Sequence, residues 1–358
     1  MCDVILLTSE ANIQYVTGFH TTARRPKQIG YNAVILLGKE KYFVVPEKWK
    51  VQVEESISME GIIFVTYPNV VSSYYERLSE ILASTGHRVI GIEYGCLELN
   101  AYLFLKKEFS DAEFVDITRE MDKRRLVKKP DEIMALRRAA DVTVQAMEYA
   151  KEFIRPGISE LRCAAELEYC MRKQGSEGVP FTMKVLSGKN SVVVTQVPGE
   201  KPIGAGEFVL LDFGAIVKGY CSDWTRTYSV CSESREMGIL HETVFKMERE
   251  IISHIRPGVP FAHLVELENE LAEKSPYGKY HNLHLGHSIG IMCHEWPVLE
   301  PGVEGELKEN MVITIEPGIY VPGIGGVRIE DEVLVTKDGH EILTGLADEN
   351  HVITSSAS

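Results

Sequence analysis

The tetrapeptide Ile-Arg-Pro-Gly occurs twice, at 154–157 and at 255–258, and each copy stops a stretch whose apolar residues recur at helical spacing. Ahead of the first copy, Ile133, Leu136, Ala140, Val144, Met147 and Ala150 mark a long helix that Asp131 can cap. Beyond it, Ser159 starts a second helix ending near Gly175, and strands are expected at Phe208–Gly214 and Tyr220–Tyr228. The order then returns. A helix over about Met237–Ile255 meets the second stop, another runs to about Lys274, and strands follow near Val312–Ile315 and Val327–Leu334. Repetition at a spacing of 101 residues is the mark of a duplicated unit, whose halves should face each other about a pseudo-twofold axis. Whatever both halves contribute meets there.

Both halves contribute acids. Leu210-Leu211-Asp212-Phe213-Gly214 leads into a segment holding Asp223, and Ile313-Thr314-Ile315-Glu316 leads through a Gly-rich loop to Glu330. The first pair is symmetric about a turn at Val217-Lys218, the second about Gly323. Two antiparallel hairpins would set each pair directly cross-strand, with Cβ atoms roughly 4.5–5.5 Å apart. Flanking Leu, Ile and Phe imply burial, and four buried like charges need a strong cation. Oxygen donors with one imidazole suit hard to borderline divalent metals, Mn²⁺ foremost, with Co²⁺, Fe²⁺ and Zn²⁺ as alternatives. Histidines 281, 284, 287 and 294 cluster within 14 residues. His287 lies between the acid pairs in sequence, as a ligand from the second half should, and His294 is a candidate substrate-side donor.

The first ~120 residues have the alternating texture of a separate α/β domain. Strands are expected at Val4–Thr8, Ala33–Leu37, Tyr42–Val45, Ile62–Thr66, Val89–Ile92 and Phe114–Ile117, and helices around Ser73–Ser84 and Leu97–Lys107. The basic run from Lys123 to Pro130 reads as the linker or its edge, dividing domains 1–122 and 123–358. Met1–Leu7 has no basic stretch ahead of its apolar run and reads as a first strand, not a signal peptide. No apolar run approaches the ~20 residues of a membrane span. A net charge of −14 disfavours nucleic acid and anionic membranes as partners. The seven cysteines are scattered and form no C-x-x-C pair, which points to reduced thiols in a cytoplasm.

These blocks resemble the metallopeptidase family of Xaa-Pro dipeptidases (prolidases), aminopeptidase P and methionine aminopeptidase. The likeness spans essentially the whole chain. Tyr15-Val16-Thr17-Gly18-Phe19 resembles the N-terminal domain of the proline-specific and creatinase branch, and Lys128–Ile133 the start of its catalytic domain. Asp212–Ala215, Tyr220–Thr227, His294–Pro297 and Ile315–Asp331 fit the catalytic motifs. The resemblance implies an α/β N-terminal creatinase-like domain followed by a catalytic domain of the duplicated pita-bread fold. It implies two divalent metals, one chelated by Asp212 and the other by His287 and Glu316, with Asp223 and Glu330 bridging both. It also implies Arg328 near the site, a hydroxide held between the metals attacking a scissile carbonyl, and a homodimer.

The chain departs from the proline-specific pattern at two places. Those members carry a histidine 17 residues before the first metal aspartate, where this sequence has Thr195 beside Gln196. They carry another four residues before the metal histidine, where it has Leu283 followed by His284. A one-residue shift would let Gln196 and His284 substitute. The expected activity is cleavage of an Xaa-Pro peptide bond in a small peptide. The alternative is hydrolysis of a small non-peptide amide or amidine on the same scaffold, as in creatinase or ectoine hydrolase.

Overall fold

The computed structural model describes residues 2, 4–20, 31–57, 60–86, 88–345 and 350–354; Met1 and Asp3 of the expected first strand lie outside them. The chain divides into two units, Met1–Arg125 and Leu126–Ser358. Among the described residues, no helix is long and apolar enough to cross a membrane.

The first unit is built on a six-stranded mixed sheet. Its strands are β1 (Val4–Leu7), β2 (Ala33–Leu37), β3 (Glu40–Pro46), β4 (Ile62–Tyr67), β5 (Val89–Ile92) and β6 (Glu113–Asp116), in the order β4-β3-β2-β1-β5-β6. Every strand run expected from β-branched residues forms a strand. The helices are α1 (Glu10–Thr17), α2 (Lys50–Ser56), α3 (Val71–Thr85), α4 (Leu99–Glu108) and α5 (Thr118–Leu126). Only α3 and α4 were foreseen. Helix α1 is too short to show a period, but Ser9 caps it by accepting from the Asn12 N–H at 3.2 Å. The basic run expected as a linker is helical up to Leu126, with Lys123, Arg124 and Arg125 in the last turn of α5, where cations suit the negative helix end.

The second unit opens with α6 (Pro130–Phe153) and α7 (Glu160–Lys173). Asp131 does not cap α6. Pro130 takes the first helical position, where its missing N–H costs nothing, and the Glu132 carboxylate accepts from the Lys129 N–H at 2.9 Å. Strands β7 (Lys184–Ser187), β8 (Phe208–Phe213), β9 (Ile216–Val217), β10 (Tyr220–Cys221) and β11 (Trp224–Val230) follow. Helices α8 (Arg235–Ser253) and α9 (Phe261–Glu273) open the second half. Its strands are β12 (Gly286–Ser288), β13 (Glu295–Leu299), β14 (Val312–Ile315), β15 (Gly318–Val321), β16 (Gly325–Arg328), β17 (Asp331–Val335) and β18 (His340–Ile342), and β19 (Val352–Ile353) returns beside β11. Two helices and an antiparallel β7-β8-β11 are thus matched by two helices and an antiparallel β12-β14-β17. The duplication seen in the sequence is a duplication of topology.

Register decides what faces what. Ile315 pairs with Asp331 and Gly318 with Arg328, so the intervening Glu316 and Glu330 fall opposite one another, as the symmetry about Gly323 predicts. The first hairpin differs. Asp212 pairs with Thr225, not Asp223, because the turn sits at Lys218-Gly219, one step beyond the expected position. Both turn residues have positive φ, 52° and 72°, the conformation of a two-residue hairpin turn that favours glycine second. Asp223 lies two residues from Thr225 and keeps the same face as a diagonal neighbour of Asp212. Thr225 in turn bridges to Glu330. One row of facing positions therefore runs Lys184–Asp212–Thr225–Glu330–Glu316 across both halves.

Gly286 lets β12 close on β14. Its φ is 152°, and a Cβ there would stand 2.1 Å from the Thr314 carbonyl oxygen. Gly286→Ala should lose about 2–5 kcal/mol of stability, because both the backbone and the packing must yield. Urea unfolding of the variant checks this, and an unchanged midpoint would contradict the close approach.

Candidate metal centre

Strand β8 is buried along its whole length, and Asp212 is its single charged residue. Asp223, Glu330 and His287 are equally withdrawn, and Glu316 nearly so. Donor atoms of Asp212, Asp223 and Glu330 lie within 4.8 Å of one another, as do those of His287, Glu316 and Glu330, and of Asp223, His287 and His294. The five expected ligand positions therefore converge, with Glu330, Asp223 and His287 each belonging to two groups.

The surroundings orient these groups without saturating them. His287 Nδ1 lies 3.1 Å from the Ser288 carbonyl oxygen, an arrangement that places the proton on Nδ1 and turns Nε2 toward the acids. Nε2 stands 3.3 Å from Glu316 Oε1 and 3.6 Å from Asp223 Oδ2. The Thr225 hydroxyl donates to Glu330 Oε2 at 2.6 Å, the Thr314 hydroxyl to Glu316 at 3.3 Å, and the Cys293 thiol to Asp223 Oδ2 at 2.9 Å. Arg328 ion-pairs with Asp212, and Lys184 Nζ reaches the same oxygen at 3.2 Å. On these residues, three buried atoms have no hydrogen-bond partner among the described residues: Asp223 Oδ1, Glu330 Oε1 and His287 Nε2. Buried polar atoms are normally satisfied. Unsatisfied donors on three residues of the cluster, amid four carboxylates, fit a divalent cation.

Titration behaviour reflects the same crowding. Burial pushes Glu330 well above the carboxylate range, and the charges of Asp223, Glu316 and Asp212 push it further. Asp223 is raised by burial too, against the opposing pull of His287. Burial would also raise Glu316, but the imidazoles of His284 and His287 more than offset it and hold this acid well below its usual value. Burial would lower His287, yet Asp223 and Glu316 carry it well above an ordinary histidine. Without a metal, protons supply the positive charge that the cluster demands.

The substrate-side candidates separate. His294 is exposed and its ring lies 4.1 Å from that of His287; desolvation and His287 lower its pKa to about 4, so it is neutral at neutral pH. His284 Nε2 lies 3.4 Å from Glu316 Oε1, while Leu283 beside it is 59% exposed. Thr195 is exposed and Gln196 half-buried in the turn after the short helix Gly188–Val192. No side-chain hydrogen bond joins either to the acids among the described residues. Arg328 is fixed by Asp212, by the Tyr320 hydroxyl at 2.7 Å and by Thr225 Oγ1 at 3.2 Å. Thr225 and Thr314 escaped the sequence reading, although each stands two residues from an acid and so shares its strand face. Lys184, Cys293 and Tyr320 arrive from other elements and carry no local signal.

Comparison with known proteins agrees with this architecture. Residues 134–337 match the model of metallopeptidase family M24, and residues 1–127 that of the creatinase/prolidase N-terminal domain. The chain is 35% identical to an uncharacterized peptidase, YqhT, of Bacillus subtilis, over 96% of this chain and 93% of the relative. It is 32% identical to the Xaa-Pro dipeptidase of Pyrococcus horikoshii, over 96% and 92% respectively. The structure of an Xaa-Pro dipeptidase from Bacillus anthracis superposes with a TM-score of 0.89 at 34% identity, covering 98% of this chain and 95% of that one. With its buried acid–histidine cluster between duplicated halves and its separate α/β unit, the chain belongs to metallopeptidase family M24, with a creatinase/prolidase N-terminal domain.

Proposed function

We propose that this peptidase cleaves the Xaa-Pro bond of small peptides, as a dipeptidase or an aminopeptidase, using two divalent ions, Mn²⁺ foremost. The observation that carries the reading is the convergence of Asp212, Asp223, His287, Glu316 and Glu330, three of which carry an unsatisfied buried donor atom. Asp212 would serve one ion and His287 with Glu316 the other; Asp223 and Glu330 each group with Asp212 on one side and with His287 on the other, which supports a bridging role for both. Such ions, when bound, supply an activated water and polarise a carbonyl. The protein's own part is to bring the acids together, to keep His287 Nε2 turned toward them and to place His294 and His284 at the edge of the cluster, where hydrogen bonds can follow charge developing on the substrate. Relatives named Xaa-Pro dipeptidase support the substrate class. A reducing cytoplasm suits the seven free cysteines, and light scattering at twice the chain mass would support the proposed homodimer.

The position of His284 bears on the missing imidazoles. It reaches Glu316 although Leu283 occupies the family's usual place, so one of the two lost donors has a substitute one residue away. His284→Ala should lower kcat by roughly 10²-fold, the typical loss for one well-placed donor, whereas Leu283→His should change little because that side chain faces solvent. Thr195→His should raise turnover. Steady-state assays of Mn²⁺-loaded protein on Xaa-Pro dipeptides, Xaa-Pro-Yaa tripeptides and non-proline controls test these outcomes together. Cleavage of the non-proline controls alone would overturn the assignment.

Glu330→Gln should leave the metal-free protein at least as stable as the wild type, because burial and the neighbouring acids already disfavour a charge at this position. It should also abolish binding of both ions and the metal-induced rise in Tm, which for the wild type is worth about 2.7 kcal/mol at a hundredfold excess over Kd. Thermal melts with and without Mn²⁺, combined with elemental analysis, check this.

Metal loading should release protons. Glu330, Asp223 and His287 all hold protons more tightly than usual, and each must give them up to bind, so affinity should rise with pH. Calorimetric titration in buffers of different ionisation enthalpy measures the release. Binding with no proton exchange near pH 6 would refute this electrostatic account.

A further inference from the structure

The two halves of the centre are alike in topology and unlike in charge. In the second half, the strand beside Glu316 supplies His287, a neutral-capable ligand with an unsatisfied Nε2. In the first half, the strand beside Asp212 supplies Lys184, a cation. Lys184 sits on β7, the edge strand of its sheet, in register opposite Asp212, and its ammonium lies 3.2 Å from Oδ2. Arg328 contacts the same oxygen. Asp212 therefore meets two cations, while Asp223 and Glu330 each retain an unpartnered buried oxygen.

The two cations differ in freedom. Arg328 is buried and held by Thr225, Tyr320 and Asp212 together, so moving it would strand several polar groups. Lys184 has 26% of its side chain exposed and ends in a flexible stem that can carry the ammonium to water. It is the one residue of β7 that is not fully buried. A divalent ion approaching Asp212 meets an ammonium already within contact distance of the carboxylate it needs, and that ammonium is able to leave.

We infer that Lys184 is an internal counter-cation for Asp212 that competes with the ion on that side of the centre. It neutralises the aspartate when the position is empty of metal and swings outward when the ion binds, so the Asp212 side fills at a higher metal concentration than the His287 side. Lys184 is a positioning residue in this account, touching a ligand and not the substrate. The inference rests on the two-ion reading proposed above.

The test is a Mn²⁺ titration followed by calorimetry and by electron paramagnetic resonance, on the full chain, for wild type, Lys184→Met and Lys184→Arg. The wild type should bind two ions in separated steps. Lys184→Met should tighten the second step by about tenfold, a modest share of what adjacent unit charges exchange in a partly buried site, and leave the first step where it was. Lys184→Arg keeps the charge and should retain the wild-type separation. An intact first step in Lys184→Met shows that the variant is folded. Two ions bound with an unchanged second step in Lys184→Met would overturn the inference while leaving the two-ion reading standing. A single ion in all three proteins would overturn the two-ion reading itself, and loss of both steps in Lys184→Met would show that Lys184 builds the site instead of competing for it.

Discussion

Four carboxylates with their oxygens a few ångströms apart, withdrawn from water between two sheets, repel one another strongly, and much of the catalytic unit is arranged around that repulsion. At such separations like charges cost several kcal/mol unless countered. The fold answers with one row of facing positions in which Lys184 flanks Asp212, Thr225 stands between Asp212 and Glu330, and Glu316 follows Glu330. Thr225 is the hinge of this row, donating its hydroxyl to Glu330 and accepting from Arg328. Unsatisfied atoms remain on Asp223, Glu330 and His287, a donor set that fits a cation.

Behind the row, a second buried network keeps the acids in place. Arg226 projects to the opposite face of β11 from Thr225 and pairs bidentately with Asp331 at 2.8 and 3.0 Å, while donating to the Glu330 carbonyl at 2.6 Å. Asp331 also accepts from the Trp224 indole N–H and the Thr344 hydroxyl, both at 2.9 Å. Glu332 accepts the Asp223 backbone N–H at 2.8 Å. The two acids that belong to two donor groups are thus clamped through their backbones by residues of the other half. Glu248, buried beside Asp331, is pushed well above the carboxylate range by burial and by that neighbour, which favours its neutral form. The Arg226–Asp331 pair anchors this network, while the centre in front of it keeps unsatisfied donor atoms on Asp223, Glu330 and His287.

Much of this is legible in the sequence. The repeated Ile-Arg-Pro-Gly stop, the helical periods beside it and the acids set in apolar strands follow from local chemistry, which a chain writes into its own neighbourhood. The Glu316–Glu330 pairing was legible for the same reason, since a hairpin's centre fixes its register. The Asp212–Asp223 pairing was misread by one turn position, because Lys218 gives no sign that it will adopt positive φ and only the glycine after it does. Helix α1 escaped notice because eight residues carry little periodicity.

The residue types at the centre, their burial and their division between two halves were determined by the sequence alone, because apolar flanks and duplicated order act over short stretches of chain. Which groups touch was decided only by tertiary structure. Lys184 is 28 residues from Asp212, Cys293 is 70 from Asp223 and Thr225 is 105 from Glu330, so no local pattern joins them. The same holds for His284. The sequence shows a histidine one place away from the expected one, and only the packing of its loop against Glu316 turns that displacement into a contact. Contacts of this kind arise when separate strands and loops are brought together, and the free energy that selects them belongs to the assembled core.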